Sequence, residues 1–120
     1  MFRLIEVILY VRDMARQVAY FRRVFGLPIL EPQGVTDSAD QYWVVLDGGG
    51  FRLVLHGGGE GRLGEDTPNL GFAVADIQAA RAHLVAHGVT VGEIRSPVPG
   101  SFVIDGHDPE GNRWSVVQRV

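Results

Sequence analysis

The chain repeats one pattern at a nearly constant spacing, and this repeat limits the folds open to it. The segment Val11–Met14, which opens a helical stretch, returns as the similar segment Val74–Ile77, 63 residues later. A strand-like segment that begins at Gly50 returns at Gly111, after 61 residues. Self-similarity over both helices and strands indicates two copies of one βαβββ-like unit. Each position in one half can therefore be compared with its equivalent in the other.

The composition excludes several classes of protein. A length of 120 residues fits one domain, and a net charge of -3 argues against the basic patch that nucleic-acid binding needs. No apolar run approaches the roughly 18 to 20 residues of a membrane span, and no signal-peptide layout is present. The absence of cysteine excludes disulfides, thiol catalysis and thiolate metal sites. We expect a cytoplasmic protein that binds neither nucleic acid nor membranes.

Hydrophobic periodicity and turn residues predict the same order of elements in both halves. Asp13 and Asp76 are suited to cap the two helices, and Gly26 is suited to end the first. The predicted strands are 3–11, 28–31, 42–46, 51–56, 69–74, 91–94, 102–104 and 113–118. Module one thus covers about 1–56 and module two about 69–120, joined by a Gly-rich linker over 57–68.

Strand alternation separates an apolar face from a polar one. One parity is large and apolar, and we expect it to lie under the helices. It comprises Ile5, Val7, Leu9, Phe51, Leu53, Leu55, Leu70, Phe72, Val74, Trp114 and Val116. The other parity carries Glu6, Tyr10, Arg52, His56, Asn69, Arg113 and Ser115. Such a polar face is either a ligand cavity, a solvated surface or a polar subunit interface.

Three segments carry a resemblance to a known family. Val11–Asp13 with Ala19–Leu27 is similar to the opening of the vicinal oxygen chelate superfamily, which includes glyoxalases, extradiol dioxygenases and bleomycin-resistance proteins. Phe72–Ile77 resembles its central strand and helix start, and Asp108–Asn112 resembles its turn. The resemblance implies an α+β fold. Two βαβββ modules would form a curled mixed, mostly antiparallel sheet with helices on the convex side. It also implies a homodimer, which the exposed sheet edges of a single pair of modules would favour.

The resemblance further implies where a metal would bind. The ligands of metal-dependent members would fall on Glu6, Val54, Asn69 and Ser115, and only Glu6 is a strong ligand. His56 points to the same face as Val54 and is the other candidate. A divalent metal on Glu6 and His56 is therefore one hypothesis, and no other cofactor is predicted. In that hypothesis Glu6 is the metal ligand or general base.

Other side chains on the polar face indicate what ligand it would take. Arg52 and Arg113 are repeat equivalents, and two guanidinium groups can bind one carboxylate or phosphate. A structural alternative is that Glu6 pairs with one of them. Trp43, beside Tyr42, and Phe102 could supply an aromatic wall. We therefore expect an anionic or aromatic small molecule.

Three functions remain open from the sequence. The first is a metal-free small-molecule-binding protein similar to bleomycin-resistance proteins. The second is a metal-dependent lyase or dioxygenase with an unusual centre on Glu6 and His56. The third is a non-catalytic regulatory or partner-binding module.

Overall fold

The computed structural model describes residues 1, 3–58 and 67–119. The chain divides into two compact units, Met1–Asp66 and Thr67–Val120. In chain order the elements are β1 (Glu6–Tyr10), α1 (Met14–Phe25), β2 (Ile29–Glu31), β3 (Trp43–Asp47), β4 (Arg52–His56), β5 (Leu70–Ala73), α2 (Ile77–Ala86), β6 (Ser101–His107) and β7 (Arg113–Arg119). Most of the predicted linker 57–68 lies outside the described residues, so its limits stay a prediction.

The α+β class and the tandem modules are confirmed, although the strands form two sheets. The first has the order β1-β4-β3-β2, and the second has the order β5-β7-β6. Both sheets are mixed: β1–β4 and β5–β7 are parallel pairs, and the other pairs are antiparallel. The expected strand at 91–94 is not formed, and only an isolated bridge between Arg95 and Val103 is found there. The second sheet is therefore one strand shorter in its described part.

Both helices begin where the sequence predicted. The Asp13 carboxylate accepts a hydrogen bond from Arg16 N, and the Asp76 carboxylate accepts bonds from Gln78 N and Ala79 N. Each carboxylate satisfies backbone donors that have no partner within the helix. Gly26 adopts a left-handed φ of 66° and ends α1, as expected. Neither helix is both long and apolar enough to cross a membrane within the described residues.

The core of the first unit lies between α1 and one face of the four-stranded sheet. Phe21 of α1 and Leu55 of β4 are fully buried, and α1 contacts β4. Two residues expected under the helix are instead exposed, Ile5 by 53% and Phe51 by 43%. Both lie immediately before an observed strand, because β1 begins at Glu6 and not at residue 3, and β4 begins at Arg52 and not at residue 51. These two positions are corrections to the predicted core.

Trp114 organises the second unit. Its side chain is 1% exposed, and its strand neighbour on β6 is Gly106. A Cβ at Gly106 would overlap Cζ2 and Cη2 of the indole ring, so only glycine leaves room for it. The turn beyond β6 has the predicted form. The Asp108 carboxylate accepts bonds from Glu110 N and Asn112 N, and Gly111 has a φ of 87°.

We predict that Gly106→Ala destabilises the protein by about 1–3 kcal/mol, the usual cost of overpacking a core. Gly71→Ala is the matched control. Gly71 lies on β5, which pairs with β7. A Cβ at Gly71 would meet no heavy atom within 4 Å in the described part of the chain. Urea denaturation of both variants tests this. Equal stability of the two would contradict the packing account.

Candidate functional site

The strand register of the first sheet defines which residues share the face that was predicted to be polar. In the parallel β1–β4 pair, Glu6 lies opposite Arg52 and Tyr10 lies opposite His56. Partners in register point to the same face of a sheet. Glu6, Tyr10, Arg52 and His56 therefore share the face opposite the one that α1 covers.

The same register separates the two candidate metal ligands. Glu6 and His56 lie four ladder positions apart along the strands, which corresponds to about 13 Å at the usual rise per residue. Metal–ligand bonds of about 2 Å cannot join side chains that stand parallel over such a distance. The proposed pairing of Glu6 with His56 around one ion is therefore wrong. No group of three His, Asp or Glu side chains among the described residues is placed to hold a metal.

His56 instead lies at the centre of an aromatic cluster. Its ring centroid is 5.0 Å from that of Tyr10, 4.9 Å from Tyr42 and 5.5 Å from Trp43. We call these four residues the His56 cluster. Tyr10, Tyr42 and Trp43 are 47%, 62% and 39% exposed, so their rings remain accessible. Because Tyr42 precedes β3, strand parity could not show that it joins the cluster.

Hydrogen bonding assigns the tautomer of His56. Gly58 N donates to His56 Nδ1 at 2.8 Å. When Nδ1 of a neutral imidazole accepts a bond, the proton is on Nε2, which then acts as a donor. The site therefore combines three aromatic rings with one N–H donor.

Gly58 also shapes the cluster sterically. A Cβ at this position would overlap the Tyr42 hydroxyl and lie 2.7 Å from His56 Cε1. The absence of a side chain allows the Tyr42 ring to lie against His56. Gly58 was not predicted as part of the site because it has no side chain and acts only through the space that it leaves.

Carboxylates surround Arg52, the expected anion-binding residue of this half. In register, Arg52 lies between Glu6 on β1 and Asp47 on β3. Its guanidinium forms an ion pair with Glu31 of β2 at 3.6 Å, and not with Glu6 as the structural alternative supposed. Glu31 and Asp47 were missed because strand pairing across the sheet was not known. Three acids around one base make this face a poor site for an anion.

In the second unit the equivalent positions form a hydrogen-bonded network. Asn69 Nδ2 donates to Ser115 Oγ at 3.1 Å, and Ser115 Oγ donates to Asp105 Oδ1 at 2.8 Å. Asp105 also accepts bonds from Arg95 Nε at 2.6 Å and Nη2 at 3.3 Å. The Ser115 hydroxyl, the atom that a metal would need at this position, is thus engaged with Asn69 and Asp105. Asp105 could have been found from the hairpin, since it lies opposite Ser115.

The remaining two predicted residues lie on opposite faces of the second sheet. Arg113 is exposed and lies in register with His107, on the same face as Ser115. Phe102 lies opposite Gln118, whose Oε1 accepts a bond from Ile77 N at the start of α2. Phe102 therefore faces the helix layer, and its assignment to the aromatic wall is wrong. Arg52 and Arg113 belong to separate units, and their joint action on one anion stays a prediction.

Comparison with known proteins identifies the family. The model of the Glyoxalase/Bleomycin resistance protein/Dioxygenase superfamily matches residues 3–116. The chain belongs to this superfamily. The vicinal oxygen chelate resemblance is thereby confirmed. Comparison with the curated proteins gives no match.

Three solved structures illustrate the fold. Lactoylglutathione lyase from Agrobacterium tumefaciens has 21% identity and a TM-score of 0.74, over 97% of this chain and 92% of its own. TnmS3, an antibiotic-binding protein from Streptomyces sp. CB03234, has 19% identity and a TM-score of 0.77, over 100% and 98%. The fosfomycin resistance protein FosX from Listeria monocytogenes has 14% identity and a TM-score of 0.76, over 100% and 95%. At these identities the likeness shows the fold alone.

The superfamily's metal-ligand positions can be tested against the residues present. Val54 has no donor atom, while Asn69 and Ser115 are bonded to each other. Only Glu6 offers a carboxylate, and it forms no side-chain hydrogen bond or ion pair within the described residues. This donor set does not fit a divalent metal.

The Asp105–Arg95 pair gives a pH-dependent prediction. Hydrogen bonding from Arg95, followed by that from Ser115, lowers the pKa of the Asp105 carboxyl, and His107 adds to the effect. A depressed carboxyl pKa stabilises the fold above the ordinary value of about 3.9, and this contribution is lost as the pH falls through the lower folded value. Arg95→Gln should therefore lower the melting temperature slightly at pH 7, and the difference from wild type should shrink below about pH 4.

Arg113→Gln is the matched control, because Arg113 lies on the same sheet and forms no ion pair within the described residues. It should show no such trend. Thermal denaturation from pH 3 to 7 measures both variants. A deficit of Arg95→Gln that grows towards low pH would contradict the assignment.

Proposed function

We propose that this chain is a small-molecule-binding member of the superfamily that acts without a metal, and that the His56 cluster contacts a planar aromatic ligand. The observation that carries the proposal is the grouping of three exposed aromatic rings around one histidine, whose Nε2–H has no partner among the described residues. Exposed aromatic side chains that converge on one point mark ligand or partner surfaces.

The chemistry of the cluster favours aromatic over anionic ligands. Offset or edge-to-face contacts between aromatic rings contribute about 0.5–1.5 kcal/mol beyond area burial. His56 Nε2 can donate to a ring nitrogen or carbonyl oxygen of the ligand. An anion would instead meet Glu6, Asp47 and Glu31 on the same face. Of the anionic and aromatic ligands expected from the sequence, we therefore propose the aromatic one.

The competing metal-dependent enzyme has less support. Its two candidate ligands are about 13 Å apart along the strands, and the equivalent polar residues of the second module bond to each other. A lyase or dioxygenase would need donors from elsewhere. TnmS3 has this fold and is an antibiotic-binding protein. This supports a small-molecule-binding function for the chain but does not indicate the ligand.

We also propose that the protein is a cytoplasmic homodimer. The edge strands β1 and β2 of the first sheet, and β5 and β6 of the second, offer backbone groups for pairing. A purely regulatory module would bind a macromolecule with the same surface and would show no response to small aromatic compounds.

Ligand binding is tested with quinoline and 2-naphthol, using cyclohexanol as a non-aromatic control. We predict that both aromatic probes perturb the NMR signals of His56 and Tyr10. Trp43→Ala should weaken binding about twofold to tenfold, since one ring contact is lost. Phe51→Ala is the matched control, because Phe51 is an exposed aromatic residue of the same unit outside the cluster. Unchanged affinity in Trp43→Ala would sink the proposal.

Metal content is tested independently. We predict that untagged protein incubated with equimolar Zn²⁺, Ni²⁺ or Mn²⁺ retains far less than one equivalent after dialysis, because the donor set is incomplete. Glu6→Gln should not change the bound amount. One equivalent of metal that disappears in Glu6→Gln would refute the metal-free function.

A further inference from the structure

The first unit also contains a groove that lies away from the His56 cluster. A groove of about 560 Å³ lies between α1, the segment 26–29 that follows it, and the loop residues 36–38. No member of the His56 cluster lines it. We propose that this groove binds a small organic anion, a carboxylate or phosphate ester with an apolar body.

The floor of the groove is apolar. Val18 and Leu27 line it and are 4% and 8% exposed, and Ile29 is half-buried beside them. Ala15 and Ala19 leave space above this floor, because their side chains are short. The volume is within the roughly 300–1,000 Å³ typical of small-molecule sites. The floor can therefore contact the hydrocarbon part of a ligand.

The rim supplies groups suited to an anion. Arg22 and Arg23 line the groove from the last turn of α1, and Thr36 and Ser38 line it from the loop. Guanidinium groups bind carboxylate and phosphate oxygens in pairs of parallel hydrogen bonds, and hydroxyl groups can add further donors. The two arginines also suit the negative end of the helix dipole, but that role does not require the concave space beside them.

Backbone carbonyl groups and one carboxylate near the groove oppose an anion, and the two arginines outweigh them. The carbonyl oxygens at the end of α1 are bonded, since Gly26 N donates to Arg22 O and Leu27 N donates to Phe21 O. Asp37 also lines the groove and keeps its negative charge, although its Oδ1 accepts a bond from Ala39 N within its own loop. Its one carboxylate faces two guanidinium groups, so the charge of the lining stays positive.

The charge on α1 supports the same conclusion. The helix MARQVAYFRRVF contains three arginines and no acidic residue, although the chain has a net charge of -3. All the side-chain charge that the helix itself contributes beside the groove is therefore positive. The groove is a local basic site on an acidic protein.

The test is an NMR titration of the full-length, ¹⁵N-labelled protein with four probes. We expect benzoate, phenyl phosphate or both to shift the amide signals of Val18, Ala19, Thr36 and Ser38. The preferred probe identifies the acidic group as carboxylate or phosphate. Benzyl alcohol lacks the charge and inorganic phosphate lacks the apolar body, so both should bind more weakly. Equal binding of either control probe would overturn the proposal.

Variants separate this site from general charge effects. Arg22→Gln combined with Arg23→Gln should weaken binding about tenfold, because hydrogen bonds to charged groups are lost. Arg16→Gln on the same helix does not alter the groove lining and should bind as wild type. Ala19→Leu should block the groove without removing a charge. Wild-type binding by both the double variant and Ala19→Leu would refute the site.

This site does not depend on the proposed function of the His56 cluster. Trp43→Ala should bind benzoate and phenyl phosphate as wild type does. If the anion shifts instead map to Tyr10 and His56, and vanish in Trp43→Ala, the groove is not the binding site.

Discussion

The parallel pairing of β1 with β4 is the constraint on which the candidate site depends. Its register places Tyr10 beside His56 and Glu6 beside Arg52, on one face of the sheet. Because side chains alternate strictly along a strand, a shift of β1 by one residue would turn Glu6 and Tyr10 to the helix side and separate them from Arg52 and His56. The same register groups aromatic residues at one end and charged residues at the other. The aromatic chemistry and the charge of this face are therefore separated by backbone pairing alone.

The two modules have used the same inherited positions in different ways. In the first, Val54 is a fully buried apolar side chain with no donor atom. In the second, Ser115 retains a hydroxyl, but Asn69 and Asp105 satisfy its hydrogen-bonding capacity. A buried polar group without a partner costs free energy, so these bonds keep the Ser115 hydroxyl from destabilising the module. At these positions the second module is stabilised by hydrogen bonds, and the first by apolar packing.

The helices, their caps and most strands could be predicted because local signals determine them. Asp13, Gly26 and Asp76 act within one helical turn of their own position. The errors arose where distant pairing decides the result. Phe102 was assigned to the wrong face because its partner Gln118, and not its own neighbours, defines that face. The His56 cluster was predicted only in part, since Tyr42 approaches His56 through space that Gly58 leaves open. No pattern in the sequence of one strand contains that information.

The role of Gly58 has a consequence for how specificity could change in this protein. The Tyr42 ring can contact His56 only because residue 58 has no Cβ. Gly58→Ala, which adds a single methyl group, would displace the Tyr42 ring and so change the surface of the His56 cluster. The four residues of the cluster would themselves stay unchanged. Related chains could therefore diverge in what they bind with no difference at any residue that touches the ligand. The size of a residue packed against an aromatic ring therefore determines where that ring lies on the surface.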